Sequence, residues 1–104
     1  SILDSEINRF DIYSKDHRLF IDVYFLLPDY RPTGGETLKL HFIGVTEYEF
    51  YWNDQRRFYT VERYKFLKSE KGFYISLDPY DESEKILDND HDIILSKEVE
   101  GWFL

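Results

Sequence analysis

Residues 18–27 carry Leu19, Ile21, Val23, Phe25 and Leu27 at every second position, with Arg18, Asp22 and Tyr24 between them. Successive side chains of a strand point to opposite faces, so this spacing gives one apolar and one polar face. A helix would need its apolar stripe at every third or fourth residue instead. The same alternation returns in Leu38, Leu40 and Phe42, in Tyr48, Phe50 and Trp52, and in Phe73, Ile75 and Leu77. Segments that share a period of two restrict the chain to antiparallel sheets with one face packed on a core. Leu19, Ile21, Val23, Phe25, Leu40, Phe42, Phe50, Ile75 and Leu77 are the expected core residues.

The remaining segments fit the same class. Residues 6–13 alternate less cleanly, with Phe10 and Ile12 expected inward, and residues 14–17 read as a hairpin connection to the next strand. Pro32 and Gly34-Gly35 mark residues 28–36 as a turn, and residues 53–56 as the next one. Gly44 falls between two alternating runs, where it signals a bulge, a sharp bend or a close backbone approach. Residues 58–67 permit a strand or one or two helical turns, and their aromatic and β-branched content favours the strand. Residues 69–72 make a tight turn into 73–77, the clearest hairpin in the chain. Ile93, Leu95 and Val99 form a last strand, after which residues 101–104 pack or fray. The expectation is one all-β domain over residues 1–104: an antiparallel sandwich or a strongly curved sheet of about seven strands.

Composition narrows the chemistry. Cysteine is absent, which removes disulfides, thiolate metal sites and thiol nucleophiles. No run approaches the roughly 18 apolar residues of a membrane span. Residues 1–10 lack the basic start and apolar stretch of a signal peptide, so the expected location is the cytoplasm. The net charge of −8 is uneven: residues 1–44 hold five basic and seven acidic side chains, residues 45–77 six and five, and residues 78–104 two and nine. An excess of −7 in the last quarter repels phosphate backbones and anionic lipid, so neither nucleic acid nor a membrane is an expected partner.

That excess centres on the segment DPYDESEKILDNDHD, residues 78–92, with Asp78, Tyr80, Asp81, Glu82, Glu84, Asp88, Asp90 and Asp92 between two strands. Asp88, Asp90 and Asp92 have the spacing that opens a calcium loop. The sixth position is Ile93 rather than glycine and the twelfth is Val99 rather than glutamate, so a tight calcium site is not expected. Carboxylate pairs can serve as acid and base in glycoside hydrolysis, but one crowded loop is a poor frame for a rigid pair. His17, His41 and His91 are isolated in sequence and read as turn or strand-face residues. No Gly-rich phosphate loop and no Gly-x-Ser-x-Gly elbow occurs, so no enzyme and no cofactor is expected. Tyr24, Tyr51, Tyr59, Tyr74 and Tyr80 lie on polar faces or in loops, where tyrosine serves recognition or packs half-buried under neighbours.

The run Gly72-Phe73-Tyr74-Ile75-Ser76-Leu77-Asp78-Pro79-Tyr80-Asp81-Glu82, an aromatic strand ending in Leu-Asp-Pro-Tyr-Asp-Glu, is followed by an acidic loop that returns through Asp90. Together with Phe42-Ile43-Gly44-Val45 it resembles small β-rich immunity proteins encoded beside bacterial polymorphic toxins. The resemblance covers about the last 60 residues by motif placement and implies a stoichiometric inhibitor of one toxin domain. The residues alone point the same way: a rigid scaffold with an acidic and aromatic patch suits a basic protein partner. The alternative is a carbohydrate-binding β module, which would present exposed coplanar aromatic rings. The expected partner-binding residues are the eight named above in residues 78–92.

Overall fold

A computed structural model describes residues 1–29, 35–55 and 59–104. It is all-β, with six strands: β1 (Glu6–Lys15), β2 (Arg18–Leu26), β3 (Thr37–Glu49), β4 (Lys65–Ser69), β5 (Gly72–Asp78) and β6 (His91–Phe103). They form one open antiparallel sheet in the order β1-β2-β3-β6-β5-β4. Of the two expected forms the single sheet is the one adopted, with six strands rather than about seven. Phe58 and Arg56, and most of the expected 28–36 turn including Pro32 and Gly34, fall outside the described residues.

The strand count differs because β3 runs on through Gly44 to Glu49 and takes in Tyr48 from the second run, while Phe50 and Trp52 of that run lie beyond its end. Gly44 has φ +66°, a left-handed conformation that breaks the alternation without ending the ladder. The register with β6 then shifts between Val45 and Glu47, a bulge that offsets the break at Gly44, so that Phe42 and Phe50 both pack on the core while Val45 between them does too. β6 is likewise longer than Ile93, Leu95 and Val99 suggest: Trp102 and Phe103 pair with Lys39 and Leu38, and Leu104 N–H donates to Thr37 O at 2.9 Å. Residues 101–104 therefore close the ladder instead of fraying.

Both tight hairpins follow their local chemistry. Asp16 and His17 have φ 53° and 64°, the two positive values that a type I′ turn needs between Lys15 and Arg18. In the β4–β5 turn Ser69 pairs with Gly72, and Ser69 Oγ donates to Gly72 O at 3.2 Å while accepting from Lys71 N–H at 3.1 Å. Gly72 has φ +126°, and a Cβ placed there would lie 2.3 Å from Ser96 O of the neighbouring strand. Gly72→Ala is therefore expected to destabilise the fold by about 2–3 kcal/mol, combining a disfavoured backbone region with a strand displacement. Urea unfolding of the variant checks this; a loss below about 0.5 kcal/mol would contradict the close approach.

The described part of the 58–67 segment contains no helix. Thr60 bridges Glu6 on the outer edge of β1, with Val61 N–H donating to Ser5 O at 2.9 Å and Asp4 N–H to Val61 O at 2.7 Å. Strand β4 begins at Lys65 on the opposite edge of the sheet. Four residue steps span at most about 14 Å, so the sheet must curl until its two edges approach at this end. The core fills the curl. Ile21, Phe25, Phe42, Val61 and Ile94 are fully enclosed, with Val23, Ile75, Leu77 and Leu40 around them.

Most of the expected core is confirmed by burial. Phe50 packs against the core half-buried, and Leu19 is also half-buried. Ile12 is a correction: it is 42% exposed, because β1 is an outer strand and its far end extends past the packed region.

Candidate functional site

Past the bend in β3, the sheet has an outward face built from residues in register. Glu47, Leu95, Tyr74 and Leu67 form one row across β3, β6, β5 and β4, and Glu49, Ile93, Ser76 and Lys65 form the next. Tyr74, Ile93 and Leu95 are buried here as a second apolar cluster, with Leu67 beside them. What covers them is the acidic segment between β5 and β6.

Lys65 holds that segment down. Its side chain is 3% exposed, and Nζ lies 3.1 and 3.0 Å from the two carboxylate oxygens of Asp90, which is itself fully buried. The ammonium also donates to Lys85 O at 2.6 Å and to Asp81 Oδ1 at 3.3 Å. Asp90 accepts further from the Tyr74 hydroxyl at 2.8 Å, Tyr80 N–H at 2.9 Å and Leu87 N–H at 3.1 Å. Burial is the largest single influence on the Asp90 carboxyl and opposes its ionisation. The hydrogen bonds from Tyr80, Tyr74, Leu87 and Lys65 together outweigh burial and hold it below the usual carboxylate range. Tyr74 is pushed the other way, first by burial and then by the Asp90 and Glu47 charges, so it stays a neutral donor. Arg63 ties down the start of the loop by donating to Pro79 O at 2.7 Å. Asp81 is lowered mainly by Ser83, whose hydroxyl and N–H reach Asp81 Oδ1 at 2.7 and 3.0 Å.

The eight expected partner-binding residues thus separate into two groups. Tyr80, Glu82, Glu84 and Asp88 are exposed, Tyr80 by 63%. Asp78 and Asp81 are half-buried, while Asp90 and Asp92 are enclosed and do not reach solvent. Asp90 and Asp92, expected among the partner-binding residues, are buried in the loop instead of standing on a binding surface. Asp90 is the hub that folds the loop, and Asp92, at φ 52°, accepts from Tyr51 N–H at 2.9 Å and so joins the loop to the chain after β3. The Asp88, Asp90 and Asp92 side chains therefore do not converge, and among the described residues no three His, Asp or Glu side chains are grouped closely enough to hold a metal ion.

Sequence reasoning missed Lys65, Glu47 and Glu49 at this site. Glu47 and Glu49 line a concavity of about 280 Å³ together with Asp88, Ile86, Leu87 and Lys71, closed below by Tyr74 and Leu95.

A second polar cluster lies on the outward face of the other half of the sheet. Asp22, assigned by alternation to the polar face, is only 5% exposed. It accepts from the Tyr13 hydroxyl at 3.1 Å, lies 2.5 Å from His41 Nδ1, and has Lys39 Nζ 3.7 Å away. Burial and Asp22 raise the Tyr13 phenol above its ordinary range. The Phe20 ring is stacked between Tyr13 and His41, at 5.4 and 5.5 Å with interplanar angles of 13° and 9°. Lys39 Nζ sits between the Tyr24 and Trp102 rings, 5.5 and 5.1 Å from their centroids. The Tyr13 hydroxyl is bonded to the Asp22 carboxylate rather than to the imidazole.

Comparison of the chain with protein-family models, with curated proteins and with solved structures returns no match in any of the three.

Proposed function

We propose that this protein is a non-catalytic binding module for a basic protein partner, of the kind a toxin-neutralising immunity protein would be. The observation that carries the reading is a loop with a fixed interior and a charged exterior. Lys65 and Asp90 lock residues 78–92 from below, while Tyr80, Glu82, Glu84 and Asp88 stand exposed above. A recognition loop held in shape before binding loses little conformational freedom on association. Exposed carboxylates there steer a basic face into register and raise the association rate. The resemblance of the 72–82 run to immunity proteins agrees with this.

The carbohydrate alternative draws less support. Sugar stacking needs open ring faces, and the rings of the other outward face are stacked on each other or covered by Lys39.

The test begins with affinity capture from the native lysate to identify the partner, followed by surface plasmon resonance at two ionic strengths. Reversal of Glu82, Glu84 and Asp88 to Lys should slow association roughly tenfold or more at low salt and much less at 0.5 M salt, where screening shortens the field. Asp81 is left intact because it contacts Lys65 and caps Ser83. Unchanged association would remove the loop from the interface, and glycan-array binding without a protein partner would replace the reading altogether.

A further inference from the structure

Resting on that reading, we propose that the concavity between the end of β3 and the acidic loop is a slot for a single arginine side chain of the partner. Its volume of about 280 Å³ lies at the small end of ligand-pocket sizes and has room for one long side chain. The floor is apolar, with Ile86 and Leu87 from the loop facing Leu95 from β6 over the ring of buried Tyr74, while most of the lining surface is polar. The rim is anionic. Glu47 and Glu49 stand two residues apart on β3, hence on one face of the strand, and Asp88 closes the other side.

An apolar floor under a carboxylate rim matches a side chain with an aliphatic stem and a cationic head. None of these three carboxylates is taken up by an ion pair among the described residues, whereas the buried carboxylate beneath them already has its ammonium. Lys71 is the one basic side chain at the rim among the described residues, leaving three negative charges against one positive. Two glutamates side by side favour the planar guanidinium over an ammonium, because its fork can bond both at once and is less costly to dehydrate. Glu47 stands in the same cross-strand row as Leu95 and Tyr74, on the face that carries the slot.

The experiment is an NMR titration of the intact chain with N-acetyl-arginine amide, with N-acetyl-citrulline amide as the uncharged isostere. The arginine derivative should bind with a Kd of about 1–10 mM, the range open to so small a ligand, and shift the amides of Glu47, Leu87, Asp88 and Leu95. Citrulline should bind at least about tenfold more weakly, as should arginine to the Glu47→Gln/Glu49→Gln variant; both glutamates are exposed, so the fold is spared. N-acetyl-lysine amide should fall between the two. Equal binding of arginine and citrulline, shifts confined to other residues, or no saturation by 100 mM would each overturn the slot. If the arginine derivative fails while reversal of Glu82, Glu84 and Asp88 still slows association, the slot is wrong and the binding function stands. If the derivative binds and that reversal, which puts a lysine at Asp88 on the rim, leaves association unchanged, the concavity does not serve the partner and both readings fall.

Discussion

Lys65→Met should destabilise the protein by about 3–5 kcal/mol at pH 7, the usual cost of removing one partner from a buried ion pair. Methionine fills much of the lysine stem's volume, so packing loss is small and the effect isolates the charge. The stranded group is Asp90, fully buried and left with neutral donors only: the Tyr74 hydroxyl and the Tyr80 and Leu87 amides. The Lys85 carbonyl also loses its donor. Urea unfolding followed by fluorescence measures the loss, and a value under about 1 kcal/mol would mean that the pair is not what holds the loop.

The pH dependence has a definite sign. In the parent protein the Asp90 carboxyl is held below its unfolded value, so its contribution is present above roughly pH 4 and is lost as pH falls through the lower folded value. In Lys65→Met the carboxylate is buried without its cation, which raises its folded pKa relative to the parent. The penalty is then full at neutral pH and relaxes as the group takes up a proton. The gap between parent and variant should therefore shrink from pH 7 towards pH 4. The double variant Lys65→Met/Asp90→Asn should recover part of the loss at pH 7, because the neutral amide keeps an oxygen for the Tyr80 N–H. A gap that widens on acidification would exclude Asp90 as the stranded charge.

Such a lock was only half legible in the sequence. The acidic excess of residues 78–92 is plain, as is the alternation that makes strands of β2, β5 and the first half of β3. Alternation tells which face a side chain is on; it does not tell what lies over that face. Asp22 reads as polar-face and solvated, yet Tyr13, His41 and Lys39, from strands on either side, converge on it and shut out water. Lys65 reads as an ordinary strand-face lysine because its partner is 25 residues away and on a loop. Glu47 and Glu49 sit in a stretch of near-neutral balance, and only the pairing of β3 with β6 brings them beside Asp88. Gly44 signalled an interruption correctly but could not say whether the strand ended or bent. That depended on a 13-residue partner, β6, whose second half carries too few apolar residues to announce itself.

Within the core the sequence was more informative, and the largest packing effect should follow it. Phe25 lies in register between Ile7 and Leu38 on the inward face of β2 and is fully enclosed. Phe25→Ala removes most of a ring from the middle of the curled sheet. The expected cost is about 3–5 kcal/mol, because the lost transfer energy is joined by a cavity that a ladder hydrogen-bonded on both sides cannot collapse to fill. Phe25→Leu keeps more of the volume and should cost under about 1.5 kcal/mol. Ile12→Ala is the informative contrast: Ile12 is opposite Ile21 and has the same inward parity, but at 42% exposure it should cost about 1 kcal/mol or less. A chain of this length has an expected total stability of about 5–15 kcal/mol, so the alanine variant at position 25 loses a large share of it. Its melting temperature should fall by roughly 15–30 °C, against a few degrees for Ile12→Ala. Equal losses at the two positions would mean that the far end of β1 is packed as tightly as the centre of β2, and that the sheet curls further around its core than the placement of Ile12 allows.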